Sequence, residues 1–381
     1  HDNLAIGHGA LGGAIVANGE FNIAIGNYTL DANTSGTNNV AVGYNALTAN
    51  TTGYRNIAIG VGALDAADDE YDNIAIGYDA LGGTVAGGDK NIAIGSYTLD
   101  ALTDGEDNVA VGYSTLTGNT TGDYNTAIGT LALAVNQTSK HNTAVGYGSQ
   151  NITTGEQNTS VGSRSLIFNV GGTHNTAVGV TAGDLITTGS ANTLLGWGAD
   201  TSANNVYYET VIGYAAVGNG TNTVTLGNSS VTAIHAQVQS ISALSDVRAK
   251  REINDGKLGL DFINKLRTVT YKLKNPADYP EEILERNFKE EIIERPKDNE
   301  TVHNGLIAQE IKKVMDELGI QWSGWSQNES NGKQGIQYGA LTVPLIKAVQ
   351  EQQEMIDSQK KTIDGLIMRL EKMEKVLLEN K

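Results

Sequence analysis

The 381-residue chain has no cysteine and only four prolines and four phenylalanines. Without thiols it has neither disulfides nor thiolate metal ligands, so a thin domain must be stabilised by other means, oligomerisation among them. No apolar run approaches ~18 residues, so no segment reads as a membrane span. None reads as a signal peptide either, and because the chain opens on His1 rather than Met it reads as a fragment. Basic residues are scarce in the first part. Residues 1–244 hold 4 Lys and Arg against 19 Asp and Glu, with 37 of the 46 glycines and no proline. Such an acidic surface argues against a phosphate-backbone ligand, which needs Lys and Arg. It suits solubility, cations or neutral glycans.

What the first part does contain is a repeat. The frame Asn-x-Ala-x-Gly, or a close variant, begins at Asn3, Asn22, Asn39, Asn56, Asn73, Asn91, Asn108, Asn125, Asn142, Asn158, Asn175 and Asn192, mostly 17 residues apart, with steps of 19, 18 and 16 as exceptions. A fixed period in this range marks a stacked, quasi-one-dimensional fold. Apolar residues at the second and fourth positions, as in Val40 and Val42, read as a short strand with one face inward. A second anchor follows eight residues after the Asn, as in Leu30, Leu47, Leu64, Leu81, Leu99, Leu116, Leu133 and Leu166. Each period therefore predicts a strand, a tight Gly turn, a second apolar segment and a variable loop. The core is expected to be Ile, Val, Leu and Ala, and the repeated Asn to form a ladder of side-chain amides. The loop acids Asp65, Asp68, Asp69, Glu70 and Asp72 offer oxygens of the kind Ca²⁺ takes, but a charge run of this sort equally describes a solvated loop; no metal site is assigned. Gly7-His8-Gly9-Ala10-Leu11-Gly12 fits the dinucleotide fingerprint only formally, since it lies inside the repeat and opens no helix; no cofactor is expected.

The frame resembles the head repeats of trimeric autotransporter adhesins, whose coils carry an Asn-Ser-Val-Ala-Ile-Gly-like motif. The resemblance covers about residues 2–213 and implies a trimer of parallel β-rolls. The period here is longer than in those heads. Glu209 stands where a further Asn would open a coil, and Asn222 to Gly227 looks like a terminal coil and cap.

At Ser245 the texture changes to mixed charge. Leu258 to Tyr271 mixes helical and strand signals, Asn275 to Glu300 is a polar insertion, and His303 to Ile311 leads into a helix through Leu318. Trp322 and Trp325 fall in a loop or short strand, and Tyr338 begins a long helix. In that helix Val349, Ile356, Ile363, Leu370 and Leu377 are seven apart, with Leu345, Gln352, Gln359, Leu366 and Met373 as the companion seam. Two seams sustained over four heptads predict a coiled coil, with the two Gln fixing register at a cost in stability.

Three segments together resemble the intramolecular chaperone domain of phage tail spikes, tail fibres and neck appendages, the peptidase S74 family. They are Leu244-Ser245-Asp246-x-Arg248-x-Lys250, Gly305-Leu306-Ile307-Ala308-Gln309-Glu310, and the run from Tyr338 through Pro344-Leu345-Ile346-Lys347-Ala348-Val349-Gln350-Glu351 into the heptad helix. The resemblance implies a domain that trimerises, templates folding of the upstream β-fibre and then cuts itself off. Ser245 and Lys250 occupy the family's nucleophile and general-base places, with cleavage between Leu244 and Ser245. A serine needs a base, and a lysine serves when its surroundings keep it neutral; Arg248 and Arg251 act in that direction by repulsion, and His303 is a candidate for a supporting role. On spacing alone, Ser245 reads as a helix N-cap and Lys250 as a solvated side chain; the catalytic roles are what the resemblance implies.

The expected fold is mainly β with an α+β C-terminal domain. The expected boundaries are a repetitive head or shaft over 1–213, a terminal coil, cap and linker over 214–244, a chaperone core over 245–339 and a coiled-coil helix over 340–381. The expected function is a homotrimeric extracellular fibre, on a virion tail or a bacterial surface, that binds a cell-surface receptor, a glycan, without membrane insertion or nucleic-acid binding. The trimer seam is assigned to Val349, Gln352, Ile356, Gln359, Ile363, Leu366, Leu370, Met373 and Leu377. The competing reading, a tail-spike glycan depolymerase, needs two carboxylates about 5–9 Å apart; the repeats have acids but no pair set apart from the loops, and Trp197 is their only tryptophan.

Overall fold

The computed structural model describes residues 2–13, 19–83, 88–231, 234, 248, 250–254, 256–284, 298, 300–328 and 332–379. They fall into two compact units, His1–Thr232 and Ala233–Lys381.

The first unit is a β-solenoid. Fourteen strands, β1 (Leu4–Ile6) to β14 (Val224–Leu226), each three residues long, form one sheet in which every strand pairs only with its neighbours in the chain. All pairings are parallel and in register, so Ala24 lies beside Ala41 and Ala41 beside Ala58. Glu209 and Asn222 open the last two coils, with β13 at Thr210–Ile212.

The direction of the strand face corrects the sequence reading. The residue turned inward is the central Ala, fully buried from Ala24 to Ala144, and the Ile and Val on either side of it point out. Ile59 and Ile128 are 39% and 41% exposed. Alternation fixes that the two sets lie on opposite faces, but not which face is inside. The interior of so narrow a coil has room beside the Leu column for a methyl group, not for a second branched side chain. The core is therefore Ala and Leu, with Leu30, Leu47, Leu64, Leu81, Leu99, Leu116 and Leu133 in one cluster. These leucines adopt left-handed backbone, as at Leu47 with φ 54°. That conformation costs about 1–2 kcal/mol in a non-glycine residue, which full burial of the side chain, worth about 1.5–3 kcal/mol, offsets.

The Asn ladder exists, but its main rung joins side chain to backbone rather than amide to amide. Each Oδ1 accepts from the backbone N–H that opens the next coil, as in Asn39 N to Asn22 Oδ1 (2.9 Å) and Asn108 N to Asn91 Oδ1 (3.0 Å). Each Nδ2 donates to a carbonyl further round its own coil, as in Asn91 to Gly105 (2.8 Å). The rung starts at Asn3 and ends at Glu209, whose N–H bonds Asn192 Oδ1 (2.9 Å). One asparagine thus serves a donor and an acceptor that the narrow interior hides from water. The turn after each strand is tighter still. At Gly43, with φ +138°, a Cβ would lie 2.2 Å from the Gly60 carbonyl oxygen, so only glycine fits.

The second unit holds α1 (Leu260–Lys265), β15 (Val269–Tyr271), β16 (His303–Gly305), α2 (Ala308–Leu318), β17 (Trp325–Gln327), β18 (Gln334–Ile336) and α3 (Thr342–Glu379). β15 pairs antiparallel with β16, and β17 with β18. The region that mixed helical and strand signals contains both, α1 and then β15. Gly319 ends α2 in left-handed conformation, and Ile320 N reaches the Met315 carbonyl (3.0 Å), a helix stop of the Schellman type. The core is small, built on Phe262, Ile311, Met315 and Trp322. α1 is tied to α3 by Glu351, whose carboxylate accepts from Leu260 N (2.7 Å).

Candidate functional site

The segment expected to react lies mostly outside the described residues. Leu244 and Ser245 are not among them; Arg248 and Lys250 are, and both are exposed and engaged in interactions. Among the described residues no nucleophile and base are brought together.

The two downstream motifs have clear structural duties. Gly305 ends β16 beneath two tyrosines: a Cβ there would meet the Tyr338 hydroxyl at 2.3 Å and the Tyr271 ring at 3.1 Å. Leu306 N donates to Tyr338 Oη (2.9 Å), so the Tyr338 that precedes the long helix is anchored to the start of the first motif. Ala308 and Ile311 are buried on the inner face of α2. Glu310 turns outward and accepts from Arg267, with Nε at 3.0 Å. Hydrogen bonding to that guanidinium holds its carboxyl below the usual carboxylate range; the pair is solvated, so its effect on stability is small. His303 stacks on Tyr271 with ring centroids 5.6 Å apart, and its buried Nε2 has no hydrogen-bond partner among the described residues. A cavity of about 510 Å³ beside these residues is lined by Thr268 to Thr270, Asn304 to Leu306, Tyr338 and Leu341.

α3 spans 38 residues, or about 57 Å at 1.5 Å per residue. Val349, Ile356, Ile363, Leu366, Leu370, Met373 and Leu377 are all exposed along it, as are Gln352 and Gln359. Among the described residues nothing covers this stripe. The outer columns of the solenoid sheet are made of half-buried and exposed residues. The column before the central Ala reads Leu, Ile or Val from Leu4 to Val109 and Thr from Thr126 to Thr210, while the column after it stays aliphatic throughout.

The loop acids do not converge. Asp72 forms a two-point pair with Arg55 (2.6 Å), and the buried Glu70 accepts from Asp68 N (2.6 Å). Among the described residues no group of three or more His, Cys, Asp or Glu is placed to hold a metal. Asp65 and Asp100 face Asp79 from other coils. Partial burial first, and repulsion from Asp79 second, raise both carboxyls above their ordinary range.

The described residues thus form a parallel β-solenoid and a small α/β unit that ends in a long, exposed helix. Residues 245–320 match the Peptidase S74 family, described as the chaperone of endosialidase. Together with the solenoid, that match fits a tail fibre or tail spike carrying a C-terminal chaperone domain. No curated protein and no solved structure gives a significant match. No helix among the described residues is long and apolar enough to cross a membrane.

Proposed function

We propose that the chain is one subunit of a homotrimeric extracellular fibre whose solenoid binds a glycan receptor on a cell surface. Its C-terminal unit is a chaperone that trimerises, directs folding of the solenoid, and releases itself by cutting between Leu244 and Ser245. The observation that carries this reading is that both units expose a long aliphatic stripe, one along the sheet and one along α3. Apolar surface this extended marks a partner, and the heptad spacing of the α3 stripe suits further copies of the same helix.

In the proposed release, Ser245 Oγ attacks the Leu244 carbonyl carbon. The Leu244–Ser245 C–N bond breaks, an ester to Oγ forms, and the proton passes by way of Lys250 to the freed Ser245 amine. Water then hydrolyses the ester. Lys250 acts as base only when neutral, a form that exclusion of water favours. Lys250 is exposed in the single chain, so the reaction is expected to await assembly around it. Backbone N–H groups would hold the oxyanion. On a denaturing gel the wild type should yield a fragment of about 244 residues and Ser245→Ala only the intact chain. A wild type that never cleaves, or a Ser245→Ala variant that still does, removes the assignment.

A further inference from the structure

One layer of the solenoid interior departs from the Ala and Leu pattern. In the coil opened by Asn142, the eighth position is Gln150 instead of Leu, and the seventh is Ser149. In the coil opened by Asn158, the central strand residue is Ser160 instead of Ala, and the seventh position is Ser165. All four side chains are fully buried. They bond to each other and to nearby backbone carbonyls. Gln150 Nε2 donates to Ser160 Oγ (2.8 Å) and to the Thr143 carbonyl (3.0 Å). Ser149 Oγ bonds Ser160 Oγ and lies 3.1 Å from Ser165 Oγ. The layer splits the apolar interior into one cluster ending at Ala144 and another beginning at Leu166. It begins in the coil from Asn142 to Asn158, whose 16-residue step is the shortest among the coils opened by an Asn of the repeated frame from Asn3 to Asn192.

Such a layer is unfavourable for stability alone. Hydroxyls and an amide replace apolar contacts, and Gln150 Oε1 has no partner among the described residues, a cost that Ala and Leu would avoid. Its benefit lies in what it excludes. In the coils opened by Asn22 to Asn125 the interior repeats so closely that a coil can be looped out and its two neighbours still meet Ala on Ala, Leu on Leu and Asn on Asn. Closing the looped-out segment adds little, because closure entropy grows slowly with length. Around Gln150 that degeneracy disappears. Were the Asn158 coil looped out, the Asn142 coil would meet Ala177 and Ala182 in place of Ser160 and Ser165. Gln150 Nε2 would lose its Ser160 bond and Ser149 Oγ both of its hydroxyl partners. Were the Asn142 coil looped out, Ser160 and Ser165 would face Ala132 and Leu133. We propose that Ser149, Gln150, Ser160 and Ser165 form a register key, a buried polar layer that permits a single stacking of the middle coils.

The absence of cysteine makes the test direct. Thr143, Thr159 and Thr176 lie side by side on three successive strands. Thr143 and Thr176 are two strand spacings apart, about 9.6 Å, beyond the ~7 Å that a disulfide bridges. Thr143→Cys with Thr176→Cys therefore closes within one chain only when the Asn158 coil is skipped, and Thr143→Cys with Thr159→Cys reports the correct register. The full-length chain would be refolded from denaturant and oxidised. Bridges within and between chains would then be separated by mass under non-reducing conditions. Adding Ser149→Ala, Gln150→Leu, Ser160→Ala and Ser165→Ala should raise the skipped-coil bridge about tenfold or more, the discrimination a buried group without a partner provides. If that variant does not refold, Gln150→Leu with Ser160→Ala is read the same way. Equal yields of the skipped-coil bridge with and without the key would overturn the proposal. The trimer mass is independent of this result, so the key and the fibre reading fail separately.

Discussion

Replacing Asn91 with Ala removes one rung from the middle of the solenoid. Asn91 Oδ1 accepts from Asn108 N (3.0 Å), and Nδ2 donates to the Gly105 carbonyl (2.8 Å). The bond from Asn91 N to Asn73 Oδ1 (2.8 Å) uses the backbone and survives. The substitution therefore orphans one buried N–H and one buried C=O. At about 1–3 kcal/mol for each unsatisfied group, the loss is roughly 2–6 kcal/mol per chain. Asn91→Asp separates hydrogen bonding from packing. It keeps the acceptor for Asn108 N but turns a carboxylate oxygen toward the Gly105 carbonyl, so it should cost at least as much as Ala despite its matching shape. Asn3 makes the same two bonds in the first described coil, to Asn22 N and the Gly19 carbonyl, both 2.8 Å. It is only half-buried, so water can substitute, and Asn3→Ala should cost less than about 1 kcal/mol. The assay is the denaturant midpoint of the full-length chain by far-ultraviolet circular dichroism, compared at a common slope. An Asn91→Ala midpoint indistinguishable from wild type, or an Asn3→Ala loss as large as that at Asn91, would refute the ladder as a source of stability.

Gly43→Ala places a Cβ 2.2 Å from the Gly60 oxygen and should cost about 3 kcal/mol or more. Gly171→Ala, with open space around its Cβ, should stay within about 0.5 kcal/mol; thermal melts of the two distinguish a steric need for glycine from general loop tolerance. Asp65 and Asp100 have carboxyls raised in the folded state. Between their ordinary and raised values the folded chain binds more protons than the unfolded one, so their contribution to stability falls as pH rises through the raised value. Asp65→Asn with Asp100→Asn should therefore raise the melting temperature at pH 7, by a margin that shrinks as the pH falls toward the ordinary carboxylate range. A margin that grows on acidification would contradict the sign. Ile356→Asp with Ile363→Asp puts charge on the α3 stripe and should abolish self-association, read by sedimentation velocity.

Much of the fold was legible because the repeat is strict. The Asn column, the Gly turns and the Leu column each follow from spacing, and the structure places each where the period puts it. The strand face was not legible, since Ile and Val at positions two and four alternate with Ala in the same way whichever set is inside. Size decides the matter: Ala41 fits the interior, and Val40 and Val42 lie half-buried on the outer face. The polar layer did leave a sign, because the Leu column skips from Leu133 to Leu166 at Gln150. Its meaning, however, depends on Ser160 from the next coil, which only the stacking brings near. Glu70 was read as part of a loop charge run, yet it is buried and bonded to Asp68 N, in a coil where Ala67 stands in the place that Asn50 holds in the coil before. In the second unit, Gly305 and Tyr338 looked like separate motifs and prove to be two sides of one contact.

Assembly of three copies of this chain through the C-terminal unit is read by light scattering on the Ser245→Ala chain purified at full length. A mass three times that of the 40.1 kDa chain is expected; a mass equal to one chain at micromolar concentration would rule the trimer out.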